Sequence, residues 1–118
     1  MLLIKENTKI HVHLLPVDMR KAVNGLSAIV LDEFSELPTS GSIFIFHNKN
    51  KDRLKCLFWD KNGFVIYYKR MEKRKFIFSK ELSGNKIELT KEQLQGLLAG
   101  FDFTLIGEFS EINYSHFY

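Results

Sequence analysis

The chain has 118 residues, of which 45% are hydrophobic and 26% are charged, a composition typical of one soluble globular domain. Its single cysteine, Cys56, excludes a disulfide within the chain and a zinc site built on several thiolates, and favours a reducing, cytoplasmic setting. No apolar run approaches the roughly 20 residues that span a bilayer, so no membrane partner is expected.

The N-terminal third predicts one strand and one long helix. Residues 9–16 alternate weakly between polar and apolar side chains, and Pro16 ends this strand because proline cannot donate to a sheet ladder. Asp18 is the predicted N-cap of a helix over residues 18–34, whose apolar residues recur at helical spacing. Residues 37–41 predict a loop that leads into the middle of the chain.

The middle of the chain predicts an antiparallel meander with polar turns. Asn62-Gly63 tolerates positive φ and predicts a hairpin turn. A later turn at residues 83–85 precedes a short edge strand over residues 86–89. The other strands of the predicted meander cover residues 43–47, 54–59, 64–71 and 75–79.

A second, shorter helix is predicted to begin at Thr90. Thr90 and Gln93 have the spacing of a capping box, and Gly100 is suited to the end of the helix. The aromatic tail over residues 103–118 is compatible with a strand, a docking segment or disorder. These elements predict a single α+β domain over residues 1–118, with an antiparallel sheet of about four to six strands.

The positive charge of the chain is concentrated in its middle. Residues 49–75 hold ten of the 17 Lys and Arg and three acids, whereas both flanks are weakly acidic. This pattern is typical of a surface that faces a polyanion, although solvent-facing strands also need charged residues. The residues predicted to contact DNA are Lys51, Arg53, Lys55, Lys69, Arg70, Lys73 and Arg74.

Two further features bear on DNA binding. Residues two apart on a strand share a face, so Lys49, Lys51, Arg53 and Lys55 would line one side of an early-starting strand. Three aromatic residues could stack on unpaired bases, with core packing as the alternative that we favour for the tryptophan. These residues are Trp59, Tyr67 and Tyr68.

Arg20 and Lys21 are candidate contacts for a partner or a phosphate. They fall in the first turn of the predicted helix, where the helix dipole disfavours cations. Cations in that place indicate either an external anion or an internal salt bridge, for example to Glu72. The residues alone leave these two interpretations equal.

No catalytic residue, metal site or cofactor is predicted. The acids with distinctive positions lie at predicted helix ends and turns, which favours structural roles for Asp18, Asp60, Glu72 and Asp102. His11 and His13 share a strand face but lack a third ligand at metal-binding spacing, so hydrogen-bonded or exposed histidines are expected. The alternating position of Cys56 in an apolar strand predicts burial.

Four colinear blocks of residues carry a resemblance to a known family. They are Asp18-Met-Arg-Lys21 with Gly25-Leu26; Gly41-Ser-Ile-Phe-Ile-Phe46 through Asn48 to Asp52-Arg-Leu-Lys55; Leu57-Phe-Trp-Asp60, Asn62-Gly63-Phe64, Lys69-Arg-Met-Glu72 and Phe76; and Leu89-Thr90, Gln93-Leu94, Leu97-Leu98 and Gly100-Phe-Asp102. The chain resembles the TnpB-type accessory protein of the sixty-six family of bacterial insertion sequences, which is unrelated to the RNA-guided nuclease of the same label.

The resemblance covers about residues 9–102 and has departures. The family usually has glycine where this chain has Ala22 and Arg74, and the tail after Asp102 has no counterpart. The resemblance implies a protein encoded beside a transposase and required for the element to move, with no known reaction. DNA, the transposase and other accessory proteins are the implied partners. The alternative function is a module that assembles the transposase complex without contacting DNA.

Overall fold

The computed structural model describes residues 4–106, which form one five-stranded sheet with a helix on each face. The elements in chain order are β1 (Ile10–His13), α1 (Val23–Glu33), β2 (Ile43–His47), β3 (Arg53–Asp60), β4 (Gly63–Arg70), β5 (Lys86–Leu89) and α2 (Lys91–Leu98). Residues 103–106 are also helical. In the sheet the strands lie in the order β4-β3-β2-β1-β5.

The sheet is mixed, so the predicted purely antiparallel arrangement is wrong. β2, β3 and β4 form the predicted antiparallel meander, but β1 lies between β2 and β5. β1 runs parallel to β2, with Ile10 opposite Ile43, and antiparallel to β5. The parallel pair follows from the connection, because a crossover through a helix returns the chain in the same direction.

The N-terminal helix is shorter than the predicted 18–34, and Asp18 is not its N-cap. α1 has 11 residues, and Ala22 occupies the N-cap position without a side-chain hydrogen bond. The Asp18 carboxylate instead accepts a hydrogen bond from the backbone N–H of Arg20 at 2.8 Å. Aspartate favours such local turns because its carboxylate can accept the backbone hydrogen bond that a helix would otherwise satisfy.

The predicted strand over residues 75–79 is absent from the described part of the sheet. The backbone N–H of Phe76 donates to the Lys51 carbonyl at 2.7 Å, and the ring of Phe76 is buried in the core. Phe78 also packs against this core, with its ring 4.3 Å from that of His47, so the alternating apolar residues anchor the segment without strand pairing. The predicted β3–β4 hairpin does form, but the positive φ falls on Lys61 and not on Asn62-Gly63.

The C-terminal elements agree with their predictions. β5 is an edge strand, and the capping box is present, with Thr90 Oγ1 accepting from the Gln93 N–H at 3.1 Å. The Gln93 side chain accepts from the Thr90 N–H at 2.9 Å. Gly100 follows the helix with φ of 89°, the left-handed conformation that glycine adopts at low cost. The first residues of the predicted tail, 103–106, are helical and not a strand, and Phe103 is buried in the core. Residues 107–118 of the tail lie outside the described residues.

Two cores occupy the two faces of the sheet, and β2 contributes to both. Ile43 and Ile45 point to the face covered by α2, which we call the α2 face. Phe44 and Phe46 point to the face covered by α1, which we call the α1 face. All five residues of β2 are buried, as expected for a central strand with both faces covered. Among residues 4–106 no helix is long and apolar enough to cross a membrane.

Candidate nucleic-acid interface

The cations of the middle segment meet at one end of the sheet. Two backbone hydrogen bonds of 2.7 Å join the β2–β3 turn to the segment after β4: Met71 N–H to the Asp52 carbonyl and Phe76 N–H to the Lys51 carbonyl. The turn cations therefore lie beside those that follow β4. We call this region the basic end, with the residues Lys49, Lys51, Arg53, Arg70, Lys73, Arg74 and Lys75.

Asn48 determines the shape of the β2–β3 turn. Its Oδ1 atom accepts from the backbone N–H groups of Asp52 at 3.1 Å and Arg53 at 3.0 Å, while its Nδ2 donates to the Asp52 carboxylate. That side-chain hydrogen bond from Asn48 lowers the pKa of Asp52 below its usual range. Lys51 has φ of 59°, so β3 begins only at Arg53. The predicted row of four cations along one strand is therefore wrong.

Arg53 and Arg70 lie directly opposite each other on paired strands, and both are exposed. Like charges in this position repel. Glu72 relieves the repulsion, because Nε and Nη2 of Arg70 each donate to its carboxylate at 3.0 Å. Exposed ion pairs of this kind contribute little to stability, so a phosphate can replace the carboxylate at small cost.

Two predicted DNA contacts are used inside the protein. Lys55 Nζ donates to the carbonyl oxygens of Met19 at 2.7 Å and Lys21 at 2.8 Å. Lys69 Nζ donates to the carbonyl oxygen of Leu98, the last residue of α2, at 2.6 Å. Both ammonium groups add positive charge to the region, but part of their hydrogen-bonding capacity is used on backbone carbonyls.

Arg20 and Lys21 lie before α1 and not in its first turn, so the helix-dipole argument does not apply to them. Arg20 pairs with Asp18 through Nε and Nη2 at 2.7–3.1 Å, and these hydrogen bonds lower the pKa of Asp18 to about 2. The suggested bridge to Glu72 does not form. The hydrogen bond from Lys55 to the Lys21 carbonyl places the backbone before α1 beside β3 on the α1 face.

Aromatic residues of β3 and β4 are divided between the two faces. Tyr67 packs half-buried on the α2 face, whereas Tyr68 lies on the α1 face with 48% of its surface exposed. Trp59 is half-buried and meets the Phe64 ring edge-on with 5.0 Å between centroids. The predicted burial of Trp59 is therefore only partial, because this part of the α1 face lies beyond the helix.

A family model described as IS66 Orf2-like protein matches residues 8–107. The chain belongs to this family. The match to the IS66 Orf2-like family covers the five strands, α1, α2 and the whole basic end. The suspected relationship to the accessory protein of this insertion-sequence family is thereby confirmed.

Two proteins of Sinorhizobium fredii, both described as uncharacterized, are similar to this IS66 Orf2-like chain. One, y4jC, is 38% identical over 91 residues, which are 77% of each chain. The other, y4hO, is 26% identical over 98 residues, which are 83% of this chain and 84% of that protein. No solved structure matches the chain.

The three histidines among residues 4–106 and the cysteine of this family member have partners or are buried within the fold. His11 Nε2 pairs with Glu36, and His13 Nε2 lies 2.5 Å from a Glu33 carboxylate oxygen. Burial lowers the pKa of His47, whose ring nitrogens contact two backbone carbonyls. Cys56 is buried as predicted, and burial raises the pKa of its thiol. Residues 4–106 contain no cluster of three or more side chains suited to a metal.

The acidic residues singled out from the sequence do not come together into one catalytic or metal-binding site among the described residues. Asp102 accepts hydrogen bonds from the backbone N–H and hydroxyl of Thr104, at the start of the helical residues 103–106. Asp60 is the last residue of β3, beside the β3–β4 turn, at the end of the sheet opposite Asp52. A groove of about 630 Å³ near Asp60 has a mixed lining that includes Lys5, Glu6 and Lys61. The basic end is therefore the more distinctive surface of the IS66 Orf2-like protein.

Proposed function

We propose that this protein is a non-catalytic accessory protein of an insertion sequence that binds DNA through the phosphates and assists the transposase in the bacterial cytoplasm. The observation that carries the proposal is the basic end, where cations from two separate segments meet around hydrogen-bonded backbone. Membership of the IS66 Orf2-like family supplies the transposition context. The local partners of the acids support a role without catalysis.

Direct phosphate contacts are assigned to the side chains that the fold leaves available. Five residues keep this role from the sequence prediction: Lys51, Arg53, Arg70, Lys73 and Arg74. Arg70 would exchange the Glu72 carboxylate for a phosphate, and Lys75 is added to the set. Lys55 and Lys69 contribute mainly through their charge, since part of their hydrogen-bonding capacity is used on backbone carbonyls. Contacts of this kind carry little sequence information, because every DNA sequence presents the same phosphates.

The salt dependence of binding tests this assignment. With about five phosphates neutralised, the slope of log affinity against log salt is expected near −4 to −5. Fluorescence anisotropy with element-end duplex at several salt concentrations measures it. The double variant Arg70→Glu, Arg74→Glu should weaken binding to all sequences and flatten the slope.

The matched control reverses two cations at the other end of the sheet. Lys5→Glu, Lys61→Glu changes the net charge by the same amount, and both residues line the groove near Asp60. It should retain most of the affinity if the basic end makes the contacts. Equal losses in the two double variants would show a general charge effect, and no affinity of the wild type at low salt would refute DNA binding.

A second candidate is an interaction module that assembles the transposase complex without touching DNA. The observation in its favour is β4, an eight-residue edge strand that pairs only with β3 among the described residues. Such an edge can accept a strand from another protein. Co-purification with the transposase after nuclease treatment separates the two functions: retention favours this module, and loss favours a DNA bridge.

A further inference from the structure

The α1 face of the sheet is only partly covered by its helix. Leu26 and Val30 of α1 pack on Phe44, Phe46 and Leu57, which belong to β2 and β3. The edge strand β4 continues the same face beyond this contact. We call this less covered part the open face, with the residues Trp59, Phe64, Ile66 and Tyr68. The first three are half-buried, with Phe64 and Ile66 packed at the margin of the α1 core, and Tyr68 is exposed.

Rings and apolar side chains form a row along the open face. Trp59 lies opposite Phe64, and Leu57 opposite Ile66, so the pairing places these side chains on one face. Phe64 and Tyr68 are four residues apart on β4 and therefore about 13 Å apart along the strand. Tyr68 is the most accessible of the row, at 48% exposure.

Cations border the open face on two sides. Arg53 and Arg70 form the next opposed pair on the same face, one step beyond Tyr68. Lys55 lies opposite Tyr68 with its Nζ 5.7 Å from the centre of the ring, a cation–π distance. The same ammonium donates to the backbone carbonyls of Met19 and Lys21, which fixes its position beside the ring.

The chemistry of the border and the row together selects the ligand. Cations favour a polyanion, whereas exposed rings favour flat apolar groups that can stack on them. Bases inside a duplex are already stacked and paired, so a duplex can use only the cations. A single strand can place its phosphates on the arginines and its bases on the rings.

We propose that the open face binds single-stranded DNA by stacking a base on Tyr68, with Arg53 and Arg70 on the adjacent phosphates. The inference rests on the proposed DNA-binding function and names the form of DNA that this surface accepts. Charge complementarity supports DNA over a second copy of the chain as the occupant. In a symmetric dimer through this face, Arg53 and Arg70 of one copy would enter the same interface as those of the other, and their like charges would repel.

The test compares a labelled single strand of about 12 nucleotides with the duplex of the same sequence. In anisotropy titrations, Tyr68→Ala should weaken binding of the single strand about five- to 150-fold, the range for loss of one stacked base. Duplex affinity should change less than twofold. Tyr68→Phe keeps the ring and should keep the single-strand affinity.

A matched control lies on the other side of the same strand. Val65 is also exposed, at 38%, but points to the α2 face, so Val65→Ala should leave both affinities unchanged. Thermal unfolding of each variant checks that the fold is intact. Trp59, the one tryptophan of the chain, reports directly on the surface, and its fluorescence should change with single-stranded DNA more than with duplex.

The outcomes separate this inference from the proposed function. Wild-type binding of duplex with no loss of single-strand affinity in Tyr68→Ala would overturn the stacking site and leave phosphate binding intact. Equal losses of affinity for both DNA forms would also overturn it, because the Tyr68 ring would then position the neighbouring cations and would not stack on a base. Absence of binding to either form would refute both proposals. Sedimentation that showed the free protein paired through this face would assign the surface to a second copy.

Discussion

Lys55 is predicted to stabilise the fold more than it contributes to DNA binding. Its ammonium donates to the carbonyls of Met19 and Lys21 and so holds the segment before α1 against β3. Lys55→Met keeps most of the aliphatic chain and removes both hydrogen bonds. A hydrogen bond from a charged donor contributes about 1.5–3 kcal/mol when shielded from water.

The expected loss is smaller than the sum of two shielded bonds. One of the two bonds is exposed, and both carbonyls can accept from water in the variant, so we expect a total of about 2 kcal/mol. For a domain of this size that corresponds to a decrease in Tm of about 8 °C. Thermal unfolding followed by circular dichroism measures this difference directly.

Lys80→Met is the matched control, because Lys80 is exposed and the substitution removes the same charge. It should shift the free energy of unfolding by less than about 0.5 kcal/mol. Lys55→Met should weaken duplex binding only slightly more than Lys80→Met, because it removes a charge near the basic end but no direct phosphate contact. The reasoning is refuted if Lys55→Met unfolds at the temperature of the control, or if it loses DNA affinity tenfold while its stability is unchanged.

Two further predictions concern titratable groups. Burial raises the pKa of Glu36, but hydrogen bonds from Ser42 and His11 outweigh it and lower the pKa below its ordinary value. Glu36 therefore stabilises the fold above the unfolded pKa of about 4.3, and this stability is lost as the pH falls through the folded pKa. In Glu36→Gln the denaturant midpoint should depend less on pH between pH 3 and 6 than in the wild type. An unchanged pH dependence of the midpoint would contradict this prediction. Cys56 is buried with a raised pKa, so a thiol reagent should modify it only after unfolding, whereas an exposed Lys80→Cys side chain, measured in a chain with Cys56→Ser, should react at once.

The secondary-structure elements that depend on residues close to them in the sequence are predictable from the sequence alone. The β2–β3–β4 meander follows from short apolar runs separated by polar turns, and α2 follows from the spacing of Thr90 and Gln93. The place of β1 is not predictable in this way. Its pairing with β2 and β5 depends on the crossover through α1 and on a strand at the other end of the chain.

The same distinction applies to the candidate site. The sequence predicts the concentration of cations, and the fold brings the turn and the segment after β4 together. The sequence does not reveal that Lys55 and Lys69 are occupied, since their acceptors are backbone carbonyls 36 and 29 residues away. A backbone carbonyl has no signature in the sequence, because every residue carries one.

The position of β1 in the sheet has a consequence for the order of folding. β2, β3 and β4 pair with sequence neighbours and can assemble as soon as they are synthesised, but β1 is made first and must wait for β5. Joining β1 to β5 closes a loop of about 70 residues, and the entropy of that closure makes it a slow step. Until residues 86–89 leave the ribosome, the first strand of the nascent chain has one unpaired edge. We therefore expect ribosome-bound chains that stop after β4 to be sensitive to proteases at their N-terminus and to become protected only when β5 emerges.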